Sequence, residues 1–415
     1  MSSIPKDITA GDPPSLRLAR PVQVEPLQPP GREDFLVFGK PTLGQAEMDE
    51  VQAVLESGWL GTGPRVAAFE ESFAAYKGVD PALAVGVNSC TAALHLSLLL
   101  AGVGPGDDVI TTPLTFCATV NAILHTGAKP VLADVNPATM NLDPAAVEAA
   151  VSPRTAAILP VHFAGRPCEM SPLMQIADRH GLVLIEDCAH AIESRYHGRP
   201  AGTMGRFGCF SFYATKNLTT GEGGMLLCRD ELDAQRARRL SLHGLSHGAH
   251  DRFSAKGFPH YTVVEPGYKY NMMDLQAAIG LHQLRQVEPF ALRRAVIAGR
   301  YAADFADLPI AVPASPAADT RHAHHLYPLL IDQDRTGVSR DEFLTQMKAR
   351  RIGVGVHYLA LPEHPYYQQR LGWRPEDTPS ATAIGRQTAS IPLTPYLTDE
   401  DVADVTAAVR LSLGR

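Results

Sequence analysis

Four short stretches of the chain carry side chains that could act together on one ligand. "FSFYATKNLTTGEGG", residues 210–224, sets Lys216 after an apolar strand-like run and before a glycine-rich turn. "GLVLIEDCAH" ends in Glu186 and Asp187, with His190 shortly after. "DVITTPLTF" leads to Phe116, and "AVGVNSCTAAL" places Ser89, Cys90 and Thr91 where a helix should begin. Taken singly, each has an ordinary reading. A lysine is usually a solvated charge and a phenylalanine is usually core. A strand-end aspartate is usually a cap or turn former. "NSCTAA" could cap a helix without any ligand. "TTGEGG" lacks the G-x-x-x-x-G-K-[ST] pattern, so its glycines read as a tight turn and not as a triphosphate loop. Together the four say more. A helix N-terminus binds phosphate through its N–H groups and dipole. A carboxylate can keep a pyridine nitrogen protonated, an aromatic ring can stack on a flat one, and a lysine can form a Schiff base. This is the set of contacts that pyridoxal 5'-phosphate asks of a protein.

Side chains at separate strand ends meet only if the strands lie side by side. Between residues 80 and 230, short β-rich runs ("DVITTP", "PVLADV", "AAILPVHF", "LVLIED", "CFSFY", "GMLLC") alternate with helical segments such as "SCTAALHLSLLLAGVG" and "SPLMQIADRHG". That alternation predicts an α/β fold with a mostly parallel sheet covered on both faces. Ligands of such sheets bind beyond the carboxyl ends of the strands. A helix is expected from about residue 272, with Met272, Leu275 and Ile279 on one face. It runs into the polar, arginine-rich "RQVEPFALRRAVIAGRYAADF", with Pro289 marking a bend or join. "SRDEFLTQMKARR" opens on a capping box, Ser339 and Glu342. "TDEDVADVTAAVRLSLG" starts at Thr398 in the same way and sets Val402, Val405 and Val409 on one face.

With 415 residues the chain is longer than one ordinary domain. Its 45% hydrophobic and 20% charged residues fit a soluble globular protein. A formal net charge of −7 disfavours nucleic-acid binding. No apolar run nears the roughly 20 residues that span a bilayer, and the proline-containing start of the chain lacks the apolar core of a secretory signal. The six cysteines sit singly among apolar residues, without a C-x-x-C pair. They predict core positions in a reducing cytoplasm, not a disulfide framework. His243, His247 and His250 lack the helical H-E-x-x-H spacing, so no metal site is expected.

Seven ordered motifs bring in a family. "SGWLGTGPRVAAFEESFA", "SCTAALHLSLLLAGVGPGDDVITTPLTF", "ILPVHFAGRPCEM", "VLIEDCAHAIES", "FSFYATKNLTTGEGGM", "PGYKYNMMDLQAAIGLHQL" and "IPLTPYLTDEDV" follow one another from about Phe38 nearly to the C-terminus. The chain thereby resembles the DegT-type nucleotide-sugar aminotransferases, whose fold is the aspartate-aminotransferase-like fold type I of pyridoxal-phosphate enzymes. The prolines at the start of the chain suggest a flexible tail over 1–32, and the resemblance implies a large cofactor-binding domain with a mostly parallel seven-stranded sheet over 33–288 and a small C-terminal α/β domain over 289–415. Within the family the chain is most similar to the UDP-4-amino-4-deoxy-L-arabinose–oxoglutarate aminotransferases, by "GYKYN", His190 and "GVGVHY". It departs from them in its long N-terminal tail and in Phe116, where close relatives carry Trp.

By position, the family implies a role for each candidate. Lys216 would hold the cofactor and shuttle protons, and Asp187 would pair with the pyridinium nitrogen. Ser211 and Thr91, with the N–H groups of Thr91 and Ala92, would hold the phosphate. Phe116 would stack on the ring, and His190 would lie near the ring hydroxyl or its lower face. Lys269 or Asn271 would reach the phosphate of a neighbouring subunit, which implies a homodimer with shared active sites. By looser analogy, Arg252, Lys256 and His357 would face the phosphates of a sugar nucleotide. The implied reaction moves nitrogen from L-glutamate to a nucleotide-linked keto-sugar and releases 2-oxoglutarate. The alternatives are a keto-sugar dehydratase of the same family, in which histidine replaces the lysine, and a non-catalytic regulator that binds the cofactor. Lys216 and Asp187 speak against both.

Overall fold

The apolar runs pair into one sheet in the computed structural model, which describes residues 32–246 and 260–415. Its strands are β1 (Ala84–Val87), β2 (Asp108–Thr111), β3 (Lys129–Leu132), β4 (Thr155–Leu159), β5 (Val183–Asp187), β8 (Phe207–Ser211) and β9 (Gly224–Cys228). A small hairpin of β6 (Arg195–Tyr196) and β7 (Arg199–Pro200) lies between β5 and β8 in sequence. The spatial order is β1-β9-β8-β5-β4-β2-β3. Only β9 runs against the others. The expected seven-stranded, mostly parallel α/β sheet is therefore present.

The ends of β1, β2, β5 and β8 that carry the candidate residues all lie along one edge of this sheet. Antiparallel β9 contributes its start, Gly224, to the same edge through its register with Ser211 and Val87. Helix α1 (Gln45–Ser57) and helix α2 (Pro64–Lys77) lead into the sheet. Helix α3 (Cys90–Leu100) connects β1 to β2, and helix α4 (Cys117–His125) follows β2. Apolar side chains of α3, including Leu94, Leu96 and Leu98, fill the core on one face with Val109, Leu159, Ile185 and Leu226. Phe69, Phe73, Phe210, Phe212 and Met272 fill the core on the other. Helix α5 (Pro144–Ala150), helix α6 (Met170–His180) and helix α7 (Glu231–Ser241) complete this part.

Helix α8 spans Asp274–Asp304, with Pro289 inside it. The helix thus passes through the position where a join between units was expected. The face expected from Met272, Leu275 and Ile279 is not its buried one. Met272 precedes the helix, and Leu275 and Ile279 are only half-buried. The buried face carries Ala277, Gly280, Leu284 and Val287. The reason is close packing on α2. A Cβ on Gly280 would meet the Phe69 ring at 2.7 Å, so small residues sit deepest.

Beyond α8, strands β10 (Tyr327–Leu330) and β11 (Thr388–Ile391) pair antiparallel. They pack with helix α9 (Arg340–Ala349) and helix α10 (Asp399–Ser412) in a separate core that includes Leu329, Phe343, Val402, Val405 and Val409. Both capping boxes form: Ser339 with Glu342, and Thr398 with Asp401. All six cysteines are free, and all but Cys117 are buried. Among the described residues, no helix is long and apolar enough to cross a membrane.

Gly224 makes a test of how β9 meets α3. A Cβ there would lie 2.5 Å from the Ser89 carbonyl carbon and 2.7 Å from the Cys90 nitrogen, both backbone atoms. Overpacking of this kind costs about 1–3 kcal/mol. Gly224→Ala is expected to lower the urea unfolding midpoint accordingly. Gly104→Ala, with nothing within 4 Å of the added carbon, should leave the midpoint in place.

Candidate active site

The strand ends and the C-terminal segments enclose a cleft of about 550 Å³. Its wall includes Ser89, Cys90, Thr91, Phe116, Thr119, Asp187, His190, Ser211 and Lys216 from the large sheet, and His325, His357, Tyr358 and Thr394 from farther along the chain. Eight of the proposed site residues line this one cleft or abut it: Thr91, Ala92, Phe116, Asp187, His190, Ser211, Lys216 and His357.

Asp187 closes β5 and is 3% exposed. Its Oδ2 accepts the Thr119 hydroxyl at 2.9 Å. Its Oδ1 accepts the Ala189 N–H at 3.0 Å and faces the Cys90 thiol at 3.9 Å. Burial pushes the carboxyl above the ordinary aspartate range, although these hydrogen bonds and the positive charge of Lys216 oppose the shift. A cationic N–H brought against this carboxylate would supply the counter-charge that the buried floor lacks. A pyridinium fits that requirement.

Lys216 stands on the turn after β8, where its N–H donates to Tyr213 O at 2.9 Å and Thr220 N–H closes onto Phe212 O at 2.9 Å. Desolvation brings its amine down to about 8, against the pull of Cys90 and Asp187 in the other direction. A lysine so lowered is a much better nucleophile and base near neutral pH than a solvated one.

The start of α3 has the form of an anion cradle. Ser89 caps the helix, its Oγ accepting the Ala92 N–H at 3.1 Å. The N–H groups of Cys90 and Thr91 come before the first intrahelical bond, Ala93 N–H to Ser89 O. Ser211 and Thr91 add hydroxyls to the same wall. Of the expected backbone donors, the one at Thr91 is therefore open, while the one at Ala92 is engaged by the cap. The close approach of Gly224 to the Ser89–Cys90 peptide brings this cradle alongside β8 and β9.

Phe116 precedes α4 and is 58% exposed, its ring turned into the cleft and 6.1 Å from that of Tyr358. It is a cleft wall and not core. His190 is buried. Its Nδ1 accepts the Ala164 N–H at 3.2 Å, so the ring proton sits on Nε2 and is donated to the Tyr358 oxygen at 3.1 Å. Burial, with the charge of Lys216, holds His190 well below the ordinary histidine range. The Tyr358 hydroxyl proton is left free to serve a ligand oxygen. His357 bonds Ser390 at 3.0 Å and stacks on Phe38, and burial lowers it to about 4.

The cleft residues that escaped the sequence reading include Thr119, Tyr358 and His325. Thr119 lies one helical turn after Phe116, so the two share the side of α4 that faces the cleft. Tyr358 directly follows His357. Nothing local marks His325, which reaches the cleft through its bond to Asn217 Oδ1 at 3.1 Å.

Lys269 and Asn271 do not line the cleft of their own chain. The Lys269 amine donates to Asn271 Oδ1, and Asn271 Nδ2 donates to the Thr62 hydroxyl at 2.7 Å. Arg252, Lys256, His247 and His250 lie outside the described residues. His243 follows α7 with a left-handed backbone, φ 59°. The buried trio His162, Glu186 and Cys188 gathers possible metal ligands. The polar atoms of His162 and Glu186 are already used. His162 Nδ1 accepts the Cys168 N–H, Nε2 donates to Glu186 at 3.0 Å, and Glu186 accepts the N–H groups of Gly202, Met204 and Gly205. The trio reads as a fold-stabilising knot under Asp187.

Known proteins share this architecture over nearly the whole chain. It is 50% identical over 380 residues to the spore coat polysaccharide biosynthesis protein SpsC of Bacillus subtilis, covering 91% of this chain and 97% of that protein. The aminotransferase TlmJ from Streptoalloteichus hindustanus superposes with a TM-score of 0.84 at 35% identity, covering 91% and 99% of the two chains. The PLP form of a putative sugar aminotransferase from Streptococcus pneumoniae superposes with a TM-score of 0.83 at 31% identity, covering 92% and 99%. With residues 41–410 matching the family as well, the chain belongs to the DegT/DnrJ/EryC1/StrS aminotransferase family and has the fold of its pyridoxal-phosphate-dependent members.

Proposed function

We propose that this sugar aminotransferase moves an amino group from L-glutamate to a nucleotide-linked keto-sugar, a 4-keto sugar carried on UDP, leaving 2-oxoglutarate and an amino-sugar nucleotide. The observation that carries the reading is the pairing of a buried, acceptor-poised Asp187 with a lowered Lys216 amine in one cleft. Pyridoxal phosphate is the cofactor, and when bound it supplies the electron sink and the temporary store for nitrogen. Asp187 keeps the ring nitrogen protonated. The start of α3, with Ser211 and Thr91, takes the phosphate. Phe116 would stack on the ring, and His190 orients Tyr358 within the same cleft. Lys216 would hold and return the proton at the substrate carbon in both half-reactions.

A sugar acceptor is supported by the relative named for spore coat polysaccharide biosynthesis. The UDP-linked 4-keto sugar is supported by the likeness in "GYKYN", His190 and "GVGVHY". A homodimer is supported by Lys269 and Asn271, which sit outside their own cleft and would complete that of a partner. A cytoplasmic setting agrees with six free cysteines.

Three outcomes test the reading. First, glutamate and a panel of keto-sugar nucleotides should yield a product that has gained an amino group. A product that has only lost water would assign the protein to the dehydratases. Second, Lys216→Ala should lower turnover by about 10⁴-fold, with loss of the lysine-bound absorbance of the cofactor. Third, capture of pyridoxal phosphate by cofactor-free protein needs the neutral amine. Its rate should rise about tenfold per pH unit up to the Lys216 value of about 8 and level off above it. A rise continuing past pH 10 would show an ordinary, solvated lysine.

A further inference from the structure

A second cavity of about 30 Å³ adjoins the cleft, and Thr215, Lys216, Leu393 and Thr394 line both. Its remaining wall includes Thr42 and Arg294. Arg294 is 1% exposed. Its Nη2 pairs with Glu193 and its Nε donates to Ala323 O at 3.3 Å, but its Nη1 has no hydrogen-bond partner among the described residues. Neither does the buried Thr42 hydroxyl. The Thr394 hydroxyl lies beside the Tyr396 oxygen, whose own proton goes to Val37 O at 2.8 Å, so it can donate there and still accept from another group. Two residues with unsatisfied polar groups, Arg294 and Thr42, thus line one small space together with Thr394.

Buried polar groups in folded proteins are nearly always paired, with water where protein does not serve. A water needs roughly 10–15 Å³ of such space and two to four polar partners, so the volume suits about two. We propose that this cavity is an internal water site, in which ordered water bridges Arg294 Nη1 to the Thr42 and Thr394 hydroxyls and pins the turn carrying Lys216. The turn is already held on its other side. Asn217 Nδ2 donates to Glu193 Oε2 at 3.0 Å and to Ala323 O at 3.1 Å, and Glu193 is the partner of Arg294. The segment before Thr42 packs on the same turn, since a Cβ on Gly39 would meet Thr215 Cγ2 at 3.1 Å. Arg294 therefore grips the turn directly through Glu193 and Asn217, and through water at the cavity. Lys216 keeps its place without giving its amine to a partner among the described residues.

The test is a high-resolution crystal structure of the full chain with its cofactor, together with hydrogen-exchange mass spectrometry of the peptide covering residues 212–220. Water density within hydrogen-bond reach of Arg294 Nη1 and both hydroxyls is expected. A Thr42→Val, Thr394→Val double variant keeps the shape but removes the hydroxyls. It should lose that density and exchange about tenfold faster in this peptide, whereas the corresponding double serine variant should match wild type. If the double valine variant does not fold, Thr42→Val alone gives the same comparison. An empty cavity, a halide in place of water, or valine variants that exchange like wild type would overturn the proposal.

Discussion

A carboxylate buried at the end of β5 sets the terms for the whole site. Asp187 is withdrawn from water and held by a threonine hydroxyl, a backbone N–H and a nearby thiol. Those contacts orient it without neutralising it. Its environment pushes it toward protonation unless a cation arrives. The same desolvation drives Lys216 the opposite way, toward the neutral amine. Burial disfavours charge on both groups, so one environment prepares an anion that wants a pyridinium and an amine that is free to react. Open water would leave the amine protonated and would screen the carboxylate from an incoming cation.

The sheet order makes that environment possible. Lys216, Asp187, Phe116 and the α3 start come from stretches far apart in sequence, and parallel strands bring their ends to one edge. Antiparallel β9 allows the remaining contact, because its first residue meets the same edge and only glycine fits against the Ser89–Cys90 peptide. Beneath Asp187, the knot of His162 and Glu186 fixes the preceding residue of β5 and the loop from Gly202 to Gly205. Burial would raise the Glu186 carboxyl, yet the hydrogen bond from His162, with those from the loop N–H groups, holds it below its ordinary range.

The parts legible in the sequence were those written in local pattern. Strand runs, helix caps and strand-end residues depend on neighbours in the chain, so Lys216, Asp187, Phe116 and the Ser89 cap could be found there. What was missed depends on pairing across the fold. Thr119 matters because it meets Asp187, and Tyr358 because it meets His190. Arg294 sits in a stretch that reads as polar surface, yet it is among the most buried side chains, held there by Glu193. Helix α8 shows the same limit in its packing. Its large apolar residues marked the wrong face, because contact with Phe69 is governed by where glycine and alanine permit close approach.

The pairing of β1 with β9 also orders events in time. Ala84 lies opposite Leu227, and Val87 opposite Gly224. β1 therefore has no sheet neighbour until the chain has been made through β9, long after the strands between them. Such distant pairings are slow to form because the intervening loop must close first. During synthesis on the ribosome, β2 to β5 can pair with one another as they emerge, whereas the helix start beside β1 takes its final setting only when β9 inserts between β1 and β8. The start of α3 is thus set only once nearly the entire large sheet has been assembled.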